Sequence, residues 1–175
     1  MFFIGVDPGK SGAVAVIDDT QCVIYLEDMP VVGSNFVPAA LRDLFLSFLP
    51  IPASPVSEIP LGFVPLLTVV EKQQVFPKQG AVSAFSTGEG FGLIIGILTT
   101  LNWSFIVVRP TAWQRELAVS GEDTKAASIN RAYSLFPTTN LKRGIRIKKD
   151  DHNRSDALLM AEFARRTWHG RQTKD

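Results

Sequence analysis

The sequence has little cysteine and almost no net charge. Cys22 is the single cysteine, so no intramolecular disulfide can form and nothing points to an oxidising compartment. We expect Cys22, which lies in a strand-like run, to be buried. Lys and Arg number 18 against 17 Asp and Glu, so the net charge of +1 gives no overall attraction for a polyanion. A charged fraction of 20% and a hydrophobic fraction of 46% exclude a mainly disordered chain.

Long hydrophobic runs and leader-like segments are also lacking. No stretch approaches the roughly 20 apolar residues that cross a membrane. The N-terminus runs directly into a strand-like segment, without a basic region or an Arg- and Ser-rich leader. We therefore expect no membrane partner and a cytoplasmic protein of bacterial or phage-like type. A plastid location is the alternative, if a transit peptide has been removed.

The basic residues are unevenly distributed. From Leu141 to the end there are ten Lys and Arg against five acidic residues, whereas the first 140 residues carry eight against twelve. This pattern predicts a local basic surface in the C-terminal fifth, which suits a phosphate backbone. A solvated helix face would have a similar composition.

The hydrophobic pattern predicts a mixed sheet with helices on its faces. Residues 2–7, 13–17 and 22–26 are predicted as three antiparallel strands separated by turn residues. Further strands are predicted at 66–71 and 105–109, and helices at 37–49 (with Asn35 as a possible N-cap), 88–101, 111–119, 124–136 and 151–168 (ended by Gly170). Residues 50–65 are predicted as a proline-rich loop and 137–150 as a basic loop. We expect one domain over residues 1–170 and a tail over 171–175.

Two carboxylates end predicted strands. Asp7 follows an apolar run and precedes a Pro-Gly turn, and Glu71 ends the run that begins at Leu66. An acid in such a setting is costly unless it is paired or bound to a metal. Neighbouring parallel strands would bring both to one edge of the sheet. Taken alone, Asp7 is also typical of a turn or cap residue, and Glu71 of an ion-pair partner.

A third acid, Asp156, is predicted in the first turns of the last helix. His152 precedes it by four residues, so both side chains share one helix face. Asp156 alone would also suit a helix N-terminus, and His152 alone could be a polar helix-start residue. Three acids together favour Mg²⁺, which prefers carboxylate oxygen. Two such ions roughly 4 Å apart can activate water and stabilise a leaving oxygen in phosphodiester hydrolysis.

The order of these motifs resembles that of RuvC-type Holliday junction resolvases. The resemblance is strongest to the branch named for the monokaryotic chloroplast resolvase of plants. It is carried by Gly5-Val6-Asp7-Pro8-Gly9, Val70-Glu71-Lys72-Gln73, Lys78-Gln79-Gly80, Gly90-Phe91-Gly92-Leu93, Pro110-Thr111-Ala112-Trp113, Leu135-Phe136-Pro137 and His152-x-x-x-Asp156-Ala157-Leu158-Leu159.

The resemblance implies an RNase H-like fold with a mixed five-stranded sheet and helices on both faces. It further implies a homodimer that resolves four-way DNA junctions by paired symmetric nicks, with Mg²⁺ or, in its place, Mn²⁺. The metal site would consist of Asp7, Glu71, His152 and Asp156, with Lys125 as a further catalytic residue near the scissile phosphate. Bacterial relatives place the third ligand three residues before the last Asp, which here selects Asn153, whereas the chloroplast spacing selects His152.

Several residues could contact DNA around this site. Gln79 could read a base edge, and Phe76 or Phe85, in the loop after Glu71, could stack at the crossover. Either phenylalanine could equally pack under its own loop, and Lys125 could be an ordinary exposed helix-start lysine. Trp103 and Trp113 are expected to be core or interface residues. The phosphate contacts are predicted to be Lys78, Lys148, Lys149 and Arg154.

Two other functions compete with the nuclease. The Asp-Pro-Gly-Lys-Ser-Gly turn also resembles the first phosphate loop of actin-like kinases and ATPases, but those proteins need two such domains and about twice this length for a nucleotide cleft. A junction-binding module without nuclease activity would be expected to lack one of the acids. None of them is missing here.

Overall fold

The computed structural model describes residues 1–48, 66–75, 77–144 and 147–172. Its strands are β1 (Phe2–Val6), β2 (Ala13–Asp18), β3 (Val23–Asp28), β4 (Val31–Val32), β5 (Asn35–Phe36), β6 (Leu66–Glu71) and β7 (Phe105–Val108). Its helices are α1 (Pro38–Ser47), α2 (Ala81–Thr100), α3 (Pro110–Glu116), α4 (Thr124–Leu135) and α5 (His152–Gln172). The predicted loop at 50–65 lies outside the described residues.

Five strands form one mixed sheet in the order β3-β2-β1-β6-β7. β1, β2 and β3 are antiparallel neighbours, whereas β1, β6 and β7 are parallel. Helices cover both faces, so the predicted mixed five-stranded α/β fold is confirmed. The parallel half matters for function, because the carboxyl ends of β1 and β6 meet at one edge of the sheet.

The alternation of side chains along the strands divides the core in two. One face, which includes Phe3 and Val69, packs against α5, α4 and α3. The other, which includes Ile4 and Val70, packs against α1 and α2. Each face is apolar because these central strands are buried on both sides.

Gly5 allows α5 to lie directly on β1. A Cβ atom at this position would be 2.0 Å from the carbonyl oxygen of Ala157 and 2.4 Å from the amide nitrogen of Ala161. Only glycine fits so close an approach of two backbones. The first half of α5 is therefore held against the strand that ends at Asp7.

Several predicted details are wrong. Cys22, which was expected to be buried, is exposed. Asn35 lies in the short hairpin β4–β5 and does not cap α1. α5 continues through Gly170, which was predicted to end it. α2 begins at Ala81, seven residues before the predicted start at 88. Pro110 begins α3 instead of only ending the preceding strand, since proline is well suited to the first turn of a helix.

α2 also corrects the expectation that no stretch approaches the length and polarity of a membrane span. Among the described residues, Ala81–Thr100 is long and apolar enough to cross a membrane by length and composition alone. It packs on the sheet through Gly90, Ile94 and Leu98, which are its buried residues.

Candidate metal centre

Asp7 directly follows β1 and is held in a tight turn. Its backbone nitrogen donates to the carbonyl oxygen of Ala13 at 3.0 Å, and the Gly9 nitrogen donates to its Oδ1 at 3.3 Å. Burial raises the pKa of Asp7 to about 6, while the Gly9 bond and the charge of Arg143 oppose this and the charge of Asp151 adds to it. The carboxyl group is thus partly shielded from water and has no ion-pair partner among the described residues.

Glu71 is the last residue of β6. The parallel register pairs Val6 with Val70, so the strand ends bearing Asp7 and Glu71 are side by side. The indole Nε1 of Trp113 donates to Glu71 Oε2 at 2.9 Å. Burial raises the pKa of Glu71 to about 7; the Trp113 bond lowers it and the charge of Asp7 raises it further.

Asp156 lies in the second turn of α5, one residue before the close approach of Ala157 to Gly5. The hydroxyl of Ser128, in α4, donates to its Oδ1. Burial raises the pKa of Asp156 to about 7, the Ser128 bond lowers it, and the charges of Asp7 and Glu71 raise it. The three predicted acids are therefore brought together, because the charge of Asp7 acts on both Glu71 and Asp156.

His152 is the first residue of α5 and is half-buried. Burial and then the charge of Lys125 lower the pKa of His152 below 6.5, against the charge of Asp151, which raises it. The imidazole is therefore mainly neutral at pH 7. Asn153, the residue selected by the bacterial spacing, is also half-buried, and its backbone nitrogen donates to Asp151 Oδ1 at 2.8 Å.

Sequence reasoning missed a structural ion pair beside this cluster. The Arg143 guanidinium bonds to the Asp151 carboxylate and to the carbonyl oxygens of Ser11 and Gly12. This contact ties the basic loop to the β1–β2 turn. An acid directly before a helix is a signal for an N-cap, and Asp151 does accept a bond from the Asn153 nitrogen. Its arginine partner had no local signal.

Trp113 and Ser128 are the other missed residues. Trp113 is fully buried, as expected of a core residue, but it also contacts Glu71. Ser128 is 2% exposed and had no distinguishing neighbour in the sequence. A buried tryptophan usually finds an acceptor for its N–H group, which is the one general signal for the first contact.

The donor set fits a divalent cation. Within the described ranges, no three His, Cys, Asp or Glu side chains are placed closely enough to hold a metal ion without adjusting their positions. The charge of Asp7 nevertheless raises the pKa of both Glu71 and Asp156, and the three acids form no ion pair among the described residues. Bound Mg²⁺ would offset this repulsion, and carboxylate oxygen is its preferred ligand.

The predicted DNA-contacting residues lie on several elements. Lys78 is exposed in the turn before α2, and the Gln79 amide donates to Ser83 Oγ at 2.9 Å and to Thr87 Oγ1 at 3.3 Å. Phe85 is 75% exposed, but on α2 and not in a loop. Phe76 lies outside the described residues.

All of the predicted cations except Arg154 are exposed. Lys148 and Lys149 are exposed in the basic loop. Arg154 bonds to Asp28 Oδ1 at 2.6 Å and to the Leu26 carbonyl oxygen at 2.7 Å, so its guanidinium ties α5 to β3 and is not free for phosphate. Lys125 is exposed at the start of α4, one helical turn before Ser128, and its charge acts on His152.

Solved structures share this arrangement of strands and helices. A structure titled T. thermophilus RuvC in complex with Holliday junction substrate has a TM-score of 0.64 and 14% identity, over 98% of this chain and 96% of that chain. The fold is that of RuvC. A second Thermus thermophilus RuvC structure matches with a TM-score of 0.59 and 18% identity, over 99% of this chain and 97% of its own. The predicted RNase H-like fold is confirmed by the match to the RuvC fold.

A sequence relative points to the same kind of protein. A chloroplastic Holliday junction resolvase, MOC1, from Chlamydomonas reinhardtii is 31% identical over 101 residues, which are 58% of this chain and 11% of the algal protein. This chain thus spans about a tenth of that relative's length. No protein-family profile matches the chain. The predicted resemblance to RuvC-type resolvases, closest to the plastid branch, is confirmed.

Proposed function

We propose that the protein is a metal-dependent endonuclease that resolves four-way DNA junctions by paired symmetric nicks. The single observation that carries this is the cluster of Asp7, Glu71 and Asp156, three half-buried carboxyl groups on a RuvC fold that have raised pKa values and no ion-pair partner among the described residues. The algal relative is named a Holliday junction resolvase, and one matching RuvC structure is titled as a junction complex.

Asp7, Glu71, Asp156 and His152 would hold Mg²⁺, with Mn²⁺ as a substitute. When bound, a pair of such ions supplies an activated water and stabilises the leaving oxygen of the scissile phosphodiester. The carboxyl groups must be ionised to bind, so burial and mutual repulsion make their ionisation dependent on the cation. Neutral His152 can offer a ring nitrogen as a ligand or accept a proton near neutral pH.

Lys125 would stabilise negative charge that develops at the phosphate. Its exposed ammonium lies on the helix that carries Ser128, and its charge reaches His152. Lys78, Lys148 and Lys149 would contact phosphates, while Gln79 and Phe85 would meet bases near the crossover. We leave Arg154 out of this surface because its guanidinium is engaged within the protein.

We propose that the active form is a homodimer, since a two-fold junction requires two matching sites. α2 supplies a suitable surface: a Cβ atom at Gly88, Gly92 or Gly96 would meet nothing within 4 Å, so this stripe is open. This stripe borders an apolar groove of about 750 Å³ between α1 and α2.

Sedimentation should give a dimer, and Gly92→Glu, which places a charge on the stripe, should shift the protein to a monomer. A wild-type protein that is monomeric both alone and on a junction would contradict this.

We further propose that residues 1–170 form one nuclease domain that acts in the cytoplasm and has no membrane partner. The name of the algal relative keeps the plastid alternative open. A fluorescent fusion expressed in the source cell would distinguish the two compartments.

The nuclease proposal is tested with a labelled immobile four-way junction, incubated with and without Mg²⁺. Symmetric nicks should appear only with the metal. A matched duplex and a three-way junction of the same sequence are the controls for structural selectivity. Binding without cleavage under all metal conditions would instead favour a junction-binding module.

A further inference from the structure

We propose that Trp113 and Ser128 are positioning residues that orient the Glu71 and Asp156 carboxylates toward a metal ion. This inference rests on the proposed function, because it concerns how the same site is prepared to bind its cation. Neither residue is offered as a ligand. Each would act through the carboxylate to which it donates.

Trp113 fixes one oxygen of Glu71. The tryptophan is fully buried in the core beneath α5, and its indole N–H donates to Oε2 at 2.9 Å. The ring cannot move without disturbing that core, so the donor is held in place by packing. The bond to Oε2 therefore fixes the direction in which Oε1 points.

Ser128 acts on Asp156 in the corresponding way. Its hydroxyl donates to Oδ1 and lies 3.1 Å from the hydroxyl oxygen of Ser155, which in turn donates to the His152 carbonyl oxygen at 2.7 Å. Ser128 and Ser155 are both buried. The hydroxyl groups therefore connect α4 to the turn of α5 that carries both His152 and Asp156.

The donors are neutral, which is the property that points to a metal. An arginine at the same distance would form an ion pair with the carboxylate and would compete with a divalent cation for it. Trp113 and Ser128 orient their acids without bringing a positive charge to Glu71 or Asp156. Residues that orient metal ligands in this way typically contribute about 10- to 100-fold to metal affinity.

The alternative is that each bond only satisfies a buried donor. In that case its loss would lower stability and leave metal affinity unchanged. Trp113→Phe removes the N–H group and keeps most of the ring volume, and Trp103→Phe is the matched control. Trp103 is also a buried tryptophan, with its ring edge-on to Phe45 at 5.7 Å, but it lies in the core on the opposite face of the sheet.

The experiment measures Mn²⁺ binding to the DNA-free protein by electron paramagnetic resonance of the unbound ion, with thermal melting of each variant alongside. We expect the Kd for Mn²⁺ to rise about tenfold or more in Trp113→Phe and in Ser128→Ala. Trp103→Phe should bind as the wild type does. Ser134→Ala, on the exposed part of α4, is the control for Ser128→Ala.

Unchanged Mn²⁺ affinity in folded Trp113→Phe and Ser128→Ala would overturn the inference and leave the proposed function intact. Wild-type protein that binds no Mn²⁺ and cuts no junction would overturn both. If Trp113→Phe does not fold, Ser128→Ala decides alone, because it removes a single oxygen atom from a site adjacent to Asp156. A junction-cleavage titration with Mg²⁺ should show the same order of variants.

Discussion

Two carboxylates on α5 have opposite surroundings. Asp156, near the start of the helix, has a neutral donor and two other acids nearby, and burial raises its pKa to about 7. Glu162 is fully buried, but Arg165 and Arg166 bond to it at 2.8 Å. Burial raises the pKa of Glu162, and these arginine bonds more than offset it, so the net shift is downward.

The difference separates a structural acid from a candidate functional one. Glu162 carries its own counter-ions, both within one helical turn, and needs nothing from outside the chain. Asp156, with Asp7 and Glu71, has negative charge that the described part of the chain does not neutralise. Carboxyl groups held in this state are typical of sites that bind a cation.

The largest expected effect is the loss of cleavage in Glu71→Gln or Asp7→Asn. Removing a metal ligand should abolish nicking while junction binding stays within a few fold, because the phosphate contacts remain. The measurement is cleavage of a labelled junction, together with a mobility-shift titration in Ca²⁺. Near-normal nicking by either variant would contradict the metal assignment.

Glu162→Gln is the comparison variant and should have the opposite profile. It removes charge-assisted hydrogen bonds in the middle of α5, so we expect the free energy of unfolding to fall by about 1 to 3 kcal/mol, measured in urea. Cleavage by the folded fraction should be unchanged. A severe loss of specific activity in this variant would contradict the assignment of Glu162 to a purely structural role.

His152→Ala should cost about tenfold or more in activity, and clearly more than Asn153→Ala. Both residues share a helix face with Asp156, at four and three residues' distance. An imidazole can ligate a metal or exchange a proton near neutral pH, whereas an amide offers only its carbonyl oxygen. Rates at saturating Mg²⁺ on one junction decide the matter. If Asn153→Ala is the more damaging change, the site follows the bacterial spacing.

The two kinds of acid should also give opposite pH dependences of stability in EDTA. The folded pKa of Glu71, about 7, is above its usual 4.5, so its contribution is fully present below pH 4.5 and is lost as the pH rises through 7. The lowered pKa of Glu162 gives a contribution present above pH 4.5 and lost in more acidic solution. The unfolding free energy of the wild type minus that of each Gln variant, measured from pH 3 to 8, should therefore slope in opposite directions.

The smallest expected effect concerns the phosphate contacts. Lys148→Ala and Lys149→Ala should each weaken junction binding by a few fold and reduce the slope of log K against log salt by about 1. Lys142→Ala, another exposed lysine of the same loop outside the proposed contacts, is the control. Equal slopes in all three variants would remove Lys148 and Lys149 from the DNA surface.

The strands were predictable because their pattern is dictated by burial on both faces. The apolar run from Phe2 to Val6 and the run ending at Glu71 both reflect the sheet interior. The start of α2 was missed because 81–87 lacks an apolar period and a capping side chain. Glycine often ends a helix and asparagine often caps its N-terminus. Here Gly170 lies within α5 and Asn35 lies in the two-residue strand β5, so neither residue has its usual role.

In the candidate site, the positions of the acids were predictable but their partners were not. Strand ends and helix turns are local features of the sequence, and these features alone predict where Asp7, Glu71 and Asp156 lie. The bonds from Trp113 and Ser128 join residues 42 and 28 positions apart in the chain, so no local spacing encodes them. The engagement of Arg154 with Asp28, 126 residues away, is hidden for the same reason.

The close contact at Gly5 sets the distance between Asp7, which follows β1, and Asp156 on α5. Backbone meets backbone there, with no side chain between them whose rotamers could change the gap. A single added methyl group would push α5 away from β1 and move Asp156 away from Asp7, although every carboxylate would remain in the sequence. Gly5→Ala would thus change the distance between the two acids without changing either carboxyl group.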